Sequence, residues 1–166
     1  MREMDWPPAR RSEGQLIDRP RLKARALTGR GHTLISGDLE AAIAALAPGA
    51  PLIGLHAPAP EGAHALRIAR DCALLVTPLA LGAENGWRDG WSATTVDDGF
   101  AALDVEGPDA PLALMQGTSA DLAAGSPSAA VLFAGFRCLI ARTDSGFRLH
   151  VEAPWLEALL TWLDGA

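Results

Sequence analysis

Cysteine is nearly absent from this 166-residue chain: only Cys72 and Cys138 occur. They lie far apart, each in an apolar strand-like run, with no basic pattern nearby to lower a thiol pKa. Two buried thiols are therefore expected rather than a disulfide or a reactive nucleophile. Long apolar runs are missing too. No stretch approaches the roughly 20 apolar residues a membrane-crossing helix needs, so no membrane partner is expected. The opening MREMDWPPARRSEGQ has charge and proline where an export signal needs an apolar core, which makes the cytoplasm the expected compartment. Catalytic signatures are scarce as well. His32, His56, His64 and His150 form neither HxH nor HExxH, so no metal site is expected. No Gly-x-Ser-x-Gly elbow supports a Ser–His–Asp triad. Gly29-Arg30-Gly31 lacks both the dinucleotide fingerprint and a phosphate-loop lysine, and reads as a turn.

What remains is a globular sequence. Apolar residues make up 49% of it, enough to bury a single core at this length. The net charge of −6 is unevenly spread. Residues 1–30 hold eight basic and four acidic side chains, whereas the rest holds six and sixteen. An acidic body argues against nucleic acid as a partner. Residues 1–20, with Pro7, Pro8 and Pro20 and no sustained periodicity, read as an extended basic arm ahead of one domain over 21–166.

Ser36-Gly37-Asp38 supplies cap chemistry for a helix carrying Leu39, Ile43 and Leu46, which Pro48-Gly49 stops. The short apolar runs 52–56, 64–70 and 72–76 fit strands. A turn-rich linker, 82–91, has Asn85-Gly86 as its strongest turn signal and is expected to join two halves. In 100–106, Ala101, Leu103 and Val105 alternate with Asp104 and Glu106, predicting a strand with one face in water. Gly107-Pro108-Asp109-Ala110 opens a short helix with Leu112 and Met115, ended by Gly117. Strands are expected at 131–134, 136–142 and 147–152, the last two joined by a hairpin at Asp144-Ser145-Gly146. Phe147, Leu149 and Val151 should be buried, and Arg148, His150 and Glu152 exposed. A final helix from Pro154 gathers Trp155, Leu156, Leu159, Leu160, Trp162 and Leu163 on one arc, which should lie on the sheet. Both halves then read as strand, helix, strands: an α+β fold of two ferredoxin-like split βαβ units.

DDGFAALDVEGPDA (97–110), LMQGTSADL (114–122), SPSAAVLFAGFRCLIAR (126–142) and SGFRLHVEAPWLEALLTWL (145–163) stand in an order that resembles the gamma subunit of heterotetrameric sarcosine oxidase. ALRIARDCALLVTP (65–78) is similar to that family's paired strands, although Ala69–Ala73 depart from its usual Gly-Pro-Asp-Glu-Trp-like turn. The resemblance covers roughly residues 60–164. It implies a fold related to the folate-binding domain of aminomethyltransferases such as the glycine-cleavage T-protein. It also implies a non-catalytic assembly subunit that binds no cofactor itself. FAD, FMN, NAD and tetrahydrofolate would lie on alpha and beta partner subunits that oxidatively demethylate sarcosine. The competing readings are a small folate-dependent one-carbon transferase and a stand-alone binding module.

Asp121 sits where folate-binding relatives have a Thr-Asn-Asp-like segment. It either contacts a pterin or partner, or bonds the N–H groups of its own turn. Trp87, Arg88 and Trp91, in the Gly-rich linker, are either partner contacts or packing of that linker on its own domain. Asp97-Asp98 reads as a solvated turn.

Overall fold

A computed structural model describes residues 14–55 and 57–166. The chain runs β1 (Gly14–Asp18), β2 (Lys23–Leu27), β3 (Gly31–Gly37), α1 (Leu39–Leu46), β4 (Leu52–Ile53), β5 (His64–Ala69) and β6 (Cys72–Thr77). It continues with β7 (Gly86–Arg88), β8 (Trp91–Thr95), β9 (Phe100–Glu106), α2 (Ala110–Gly117), β10 (Ala130–Phe133), β11 (Phe136–Arg142), β12 (Gly146–Glu152) and α3 (Leu156–Gly165). The strands form two six-stranded sheets. The first has the order β1-β2-β9-β12-β11-β10 and the second β4-β5-β6-β3-β8-β7. Every pairing is antiparallel except β4 with β5. The expected α+β class and its two halves are thus present, one sheet carrying α2 and α3 and the other α1.

Strand alternation sorts side chains into three apolar layers. On the first sheet, Leu103, Val105, Cys138, Ile140, Leu149 and Val151 turn outward beneath α2 and α3, meeting Leu114, Leu159 and Leu163. On the second, Ile35, Ala65, Ala73, Leu75 and Ala93 turn outward beneath α1 and meet Leu39, Ala42 and Ile43. The intervening positions face one another. Leu66, Leu74 and Val76 of the second sheet pack on Leu139 and Ala141 of the first. The molecule is a helix–sheet–sheet–helix stack.

Local signals explain several boundaries. The Asp38 carboxylate accepts from the Ala41 N–H at 3.0 Å, so α1 is capped as its sequence predicts. Gly107 is required rather than tolerated. Its φ is +108°, and a Cβ there would lie on the Arg21 carbonyl oxygen. Asp109 stands at the start of α2 but caps nothing with its side chain. Its carboxylate instead takes the Arg21 guanidinium through two bonds of 2.8 and 2.7 Å.

Other expectations need correction. The arm expected over 1–20 lies outside the described residues up to 13, and from Gly14 the chain is already in β1, hydrogen-bonded to β2. The region 82–91 does not join the halves. It forms β7 and enters β8, with its tight turn at Asp89-Gly90 rather than Asn85-Gly86. The crossing between sheets falls later, at the 3₁₀ turn Asp97–Gly99. Of the run 52–56 only Leu52–Ile53 is a strand, and His56 lies outside the described residues. Trp155 precedes α3 in a 3₁₀ turn and is half-exposed against Phe136, while Trp162 packs edge-on against Phe133.

The largest correction concerns the face of β9 and β12 that was expected to meet water. Asp104, Arg148 and His150 are buried, because the second sheet covers that face. The N-terminal hairpin adds to the same sheet: β2 pairs with β9, so the whole second sheet lies in sequence between these two neighbours.

Candidate functional site

The β8–β7 edge of the second sheet carries Trp87, Arg88 and Trp91, singled out from sequence. In β8, Trp91 and Ala93 turn toward α1, and Ser92 and Thr94 turn the other way. Trp87 stands opposite Ser92 in the ladder and is 76% exposed. Trp91 is only 6% exposed and belongs to the core under α1, so its role is packing. Arg88 lies between them. Its Nη2 donates to the Glu84 carbonyl at 3.0 Å, and its guanidinium sits 5.4 Å from the Trp91 ring centroid. The loop leading here from β6 exposes Leu79 and Leu81, and is tied down where Asn85 Oδ1 accepts from the Thr95 N–H at 2.7 Å. This places an apolar, partly rigid patch at a sheet edge.

Asp121 is engaged locally. Its Oδ1 accepts from the Ala123 and Ala124 N–H groups, each at 2.9 Å. Those bonds hold its carboxyl below the ordinary carboxylate range. The geometry is that of a turn cap. Arg142 reinforces the turn, donating to the Leu122 carbonyl and, at 2.7 Å, to that of Ala123.

The chemistry that sequence reasoning missed lies between the sheets. Arg148, 2% exposed, donates Nε to Asp104 Oδ1 at 2.7 Å and Nη2 to Asp104 Oδ2 at 3.0 Å. Glu61 takes a longer bond from Arg148, 3.4 Å, and another from Arg30, 3.3 Å. Beside this network stand three histidines. His32 and His64 occupy one row of the second sheet, on either side of Val76. His150 faces them from β12, its Nδ1 3.3 Å from His32 Nε2. The two rings meet edge-on, with centroids 5.3 Å apart. His64 directs Nδ1 to the Gly62 carbonyl at 2.9 Å. Asp97, expected in a solvated turn, accepts the His32 backbone N–H at 2.6 Å.

Burial pushes all three histidines down from their ordinary value, His150 furthest. They are neutral near pH 7. Burial likewise pushes the Cys138 thiol up to about 12, so it is inert. One sequence signal for this seam existed. His32 and His64 each share strand parity with apolar residues, Leu34 in β3 and Leu66 and Ile68 in β5, which marks a buried face.

A groove of ≈ 440 Å³ opens between the sheets at the far end of this seam. Its walls are apolar, with Leu34, Ile68, Phe100 and Leu139, and the Arg137–Glu152 pair at 2.5 Å forms its rim. Among the described residues, no group of three or more His, Cys, Asp or Glu could hold a metal ion. No described helix is long and apolar enough to cross a membrane.

The structure compares with a chain of the heterotetrameric sarcosine oxidase from Corynebacterium sp. U-96, solved in complex with pyrrole 2-carboxylate. The TM-score is 0.69 over 86% of this chain and 81% of that one. The two chains share one fold. Sequence identity is 23%, so the likeness lies in the architecture. No family model matches the sequence, and no curated protein does. The sarcosine oxidase fold agrees with the resemblance read from residues 60–164, and extends it toward the N-terminus.

Proposed function

We propose that this chain is a non-catalytic assembly subunit of a sarcosine oxidase-like complex. The observation that carries the reading is the sarcosine oxidase fold, shared over most of both chains. The reaction would be oxidative demethylation of sarcosine, with FAD, FMN, NAD and tetrahydrofolate on alpha and beta subunits. The proposed compartment is the cytoplasm, in keeping with the unpaired thiols Cys72 and Cys138. The disposition of ionisable groups supports a scaffold role: Arg148 and Asp104 neutralise each other in the interior, and Asp121 serves its own turn. The proposed partner contact is the β7–β8 edge, through Trp87 and Arg88. An aromatic anchor beside a pinned arginine is the composition of an interface hot spot.

The test is co-purification from the native host, followed by the variants Trp87→Ala and Arg88→Ala. Co-purifying yellow flavoprotein subunits support the reading. Bound folate without partners, or an empty monomer, overturns it. The double variant should weaken assembly by about tenfold or more. Its far-UV circular dichroism and unfolding midpoint should stay unchanged. Trp91→Ala is the control with the opposite signature: loss of a buried indole should cost about 3–5 kcal/mol of folding stability.

A further inference from the structure

The inter-sheet histidines play no part in the assembly reading, yet they sit where the two halves of the molecule touch. His32 comes from β3 and His150 from β12, and their 3.3 Å contact is a direct side-chain hydrogen bond between the sheets. An N···N bond of this kind needs one protonated nitrogen and one lone pair. Two neutral imidazoles satisfy it, and so does one neutral ring with one imidazolium. Two imidazoliums cannot, because both facing nitrogens then carry hydrogens.

The surroundings resist added protons. Arg148 on β12 and Arg30 before β3 place fixed positive charge near the pair, and His64 on β5 adds a third titratable ring. Negative charge comes from Asp97, bonded to the His32 backbone, and from Glu61 and Asp104, already taken by arginines. Flanking side chains are apolar: His150 stands in register with Leu139 and Ala102, and Phe100 lies 6.1 Å from the His32 ring. His64 donates Nδ1–H to Gly62, which leaves Nε2 as the site for a proton, and that nitrogen is buried without an acceptor. His32 Nδ1 and His150 Nε2 are likewise buried and unpartnered. Each added proton therefore creates a buried N–H with nothing to bond, among like charges.

We propose that the His32–His150 contact is a proton-operated latch that holds the two sheets together when neutral and releases them in mild acid.

The direction follows from linkage. Each ring binds protons less readily in the folded chain than in the unfolded one, whose ordinary value is 6.5. Its stabilising effect is complete above that value and is lost as pH falls below it. A ring that stays neutral while folded lowers the folded-to-unfolded ratio about tenfold per pH unit. Glu61, Asp109 and Asp121 are held below their ordinary range and stay ionised through this window.

Urea unfolding of the full chain at about pH 7.5 and about pH 5.5 should show the ratio falling, by at most about a thousandfold with all three rings neutral in the folded chain. In the variant His32→Leu/His150→Leu the fall should shrink to at most about tenfold, from His64. An equal fall in both proteins overturns the latch. Imidazole ¹⁵N resonances of the unmodified chain provide a test that needs no variant. His32 and His150 should remain neutral at about pH 6 and titrate together at lower pH, with the amides of Val76 and Leu139 losing exchange protection in that same step. Separate titrations near the ordinary histidine value, or amides that stay protected once both rings are charged, would overturn it.

Discussion

Replacing Arg148 with methionine should destabilise the protein by about 3–5 kcal/mol. Methionine keeps an apolar stem of similar reach but offers nothing to Asp104. That carboxylate, 7% exposed, would lose bonds of 2.7 and 3.0 Å and remain in the interior without its counter-charge. The other neighbours cannot replace the pair. Arg25 approaches Asp104 only to 3.9 Å and is well exposed, so solvent screens it. Glu61 still has Arg30, so the loss concentrates on Asp104. The double variant Arg148→Met/Asp104→Leu removes both charges and should recover much of the loss, because an apolar pair in such a site costs little. Urea unfolding of the four proteins gives the coupling energy. A value near zero would mean the two groups are not joined in the interior.

Gly54→Ala should be a severely damaging change for a single methyl group, at about 3 kcal/mol. A Cβ there would lie on the carbonyl oxygens of Ser126 and Pro127. Those atoms are backbone and cannot swing aside as a side chain would. The segment they belong to is also fixed at both sheets. Ser128 Oγ donates to the Ile68 carbonyl at 3.0 Å, and the Ala129 N–H donates to that of Arg67 at 2.8 Å. Pushing 126–127 outward would strain the link between β5 and β10. Gly62→Ala is the matched control. No atom lies within 4 Å of its Cβ position, so its thermal midpoint should barely move. Equal shifts in the two variants would refute the close approach.

The half of the fold with strong periodicity was legible from residues alone. Alternation in 100–106 and 147–152 placed Leu103, Val105, Leu149 and Val151 on the core side, where they are. The cap at Asp38 and the stop after Leu46 followed from local chemistry. The strands β1, β2 and β3 escaped for a physical reason. GQLID, KARAL and GHTLISG mix charge, glycine and hydroxyl groups with apolar residues, and the pairings that fix β2 and β3 in their sheets lie far along the chain.

Missing them hid the second layer over β9 and β12. A strand row of Asp, Arg and His looks the same whether water or another sheet lies against it. Arg148 and His150 were therefore placed at the surface, and only the three-dimensional pairing of Arg148 with Asp104 and His150 with His32 shows why they can be inside. The tryptophans divide similarly. Trp87 lies on the open face of an edge strand, while Trp91 lies beneath a helix whose cover over that strand no local pattern reports.

The placement of β2 against β9 bears on how the chain is made. Everything from β3 to β8 emerges from the ribosome before β9 exists, so the first hairpin must wait with an open edge, a hazard for pairing with other chains. The inserted layer shortens that wait. Its entry and exit lie side by side, with Thr33 opposite Thr95 and the Val96 N–H bonded to the His32 carbonyl at 2.9 Å. Once this layer has formed, it acts as a clamp that presents residues 27 and 100 to one another. The most distant strand pairing in the molecule then becomes a short-range closure.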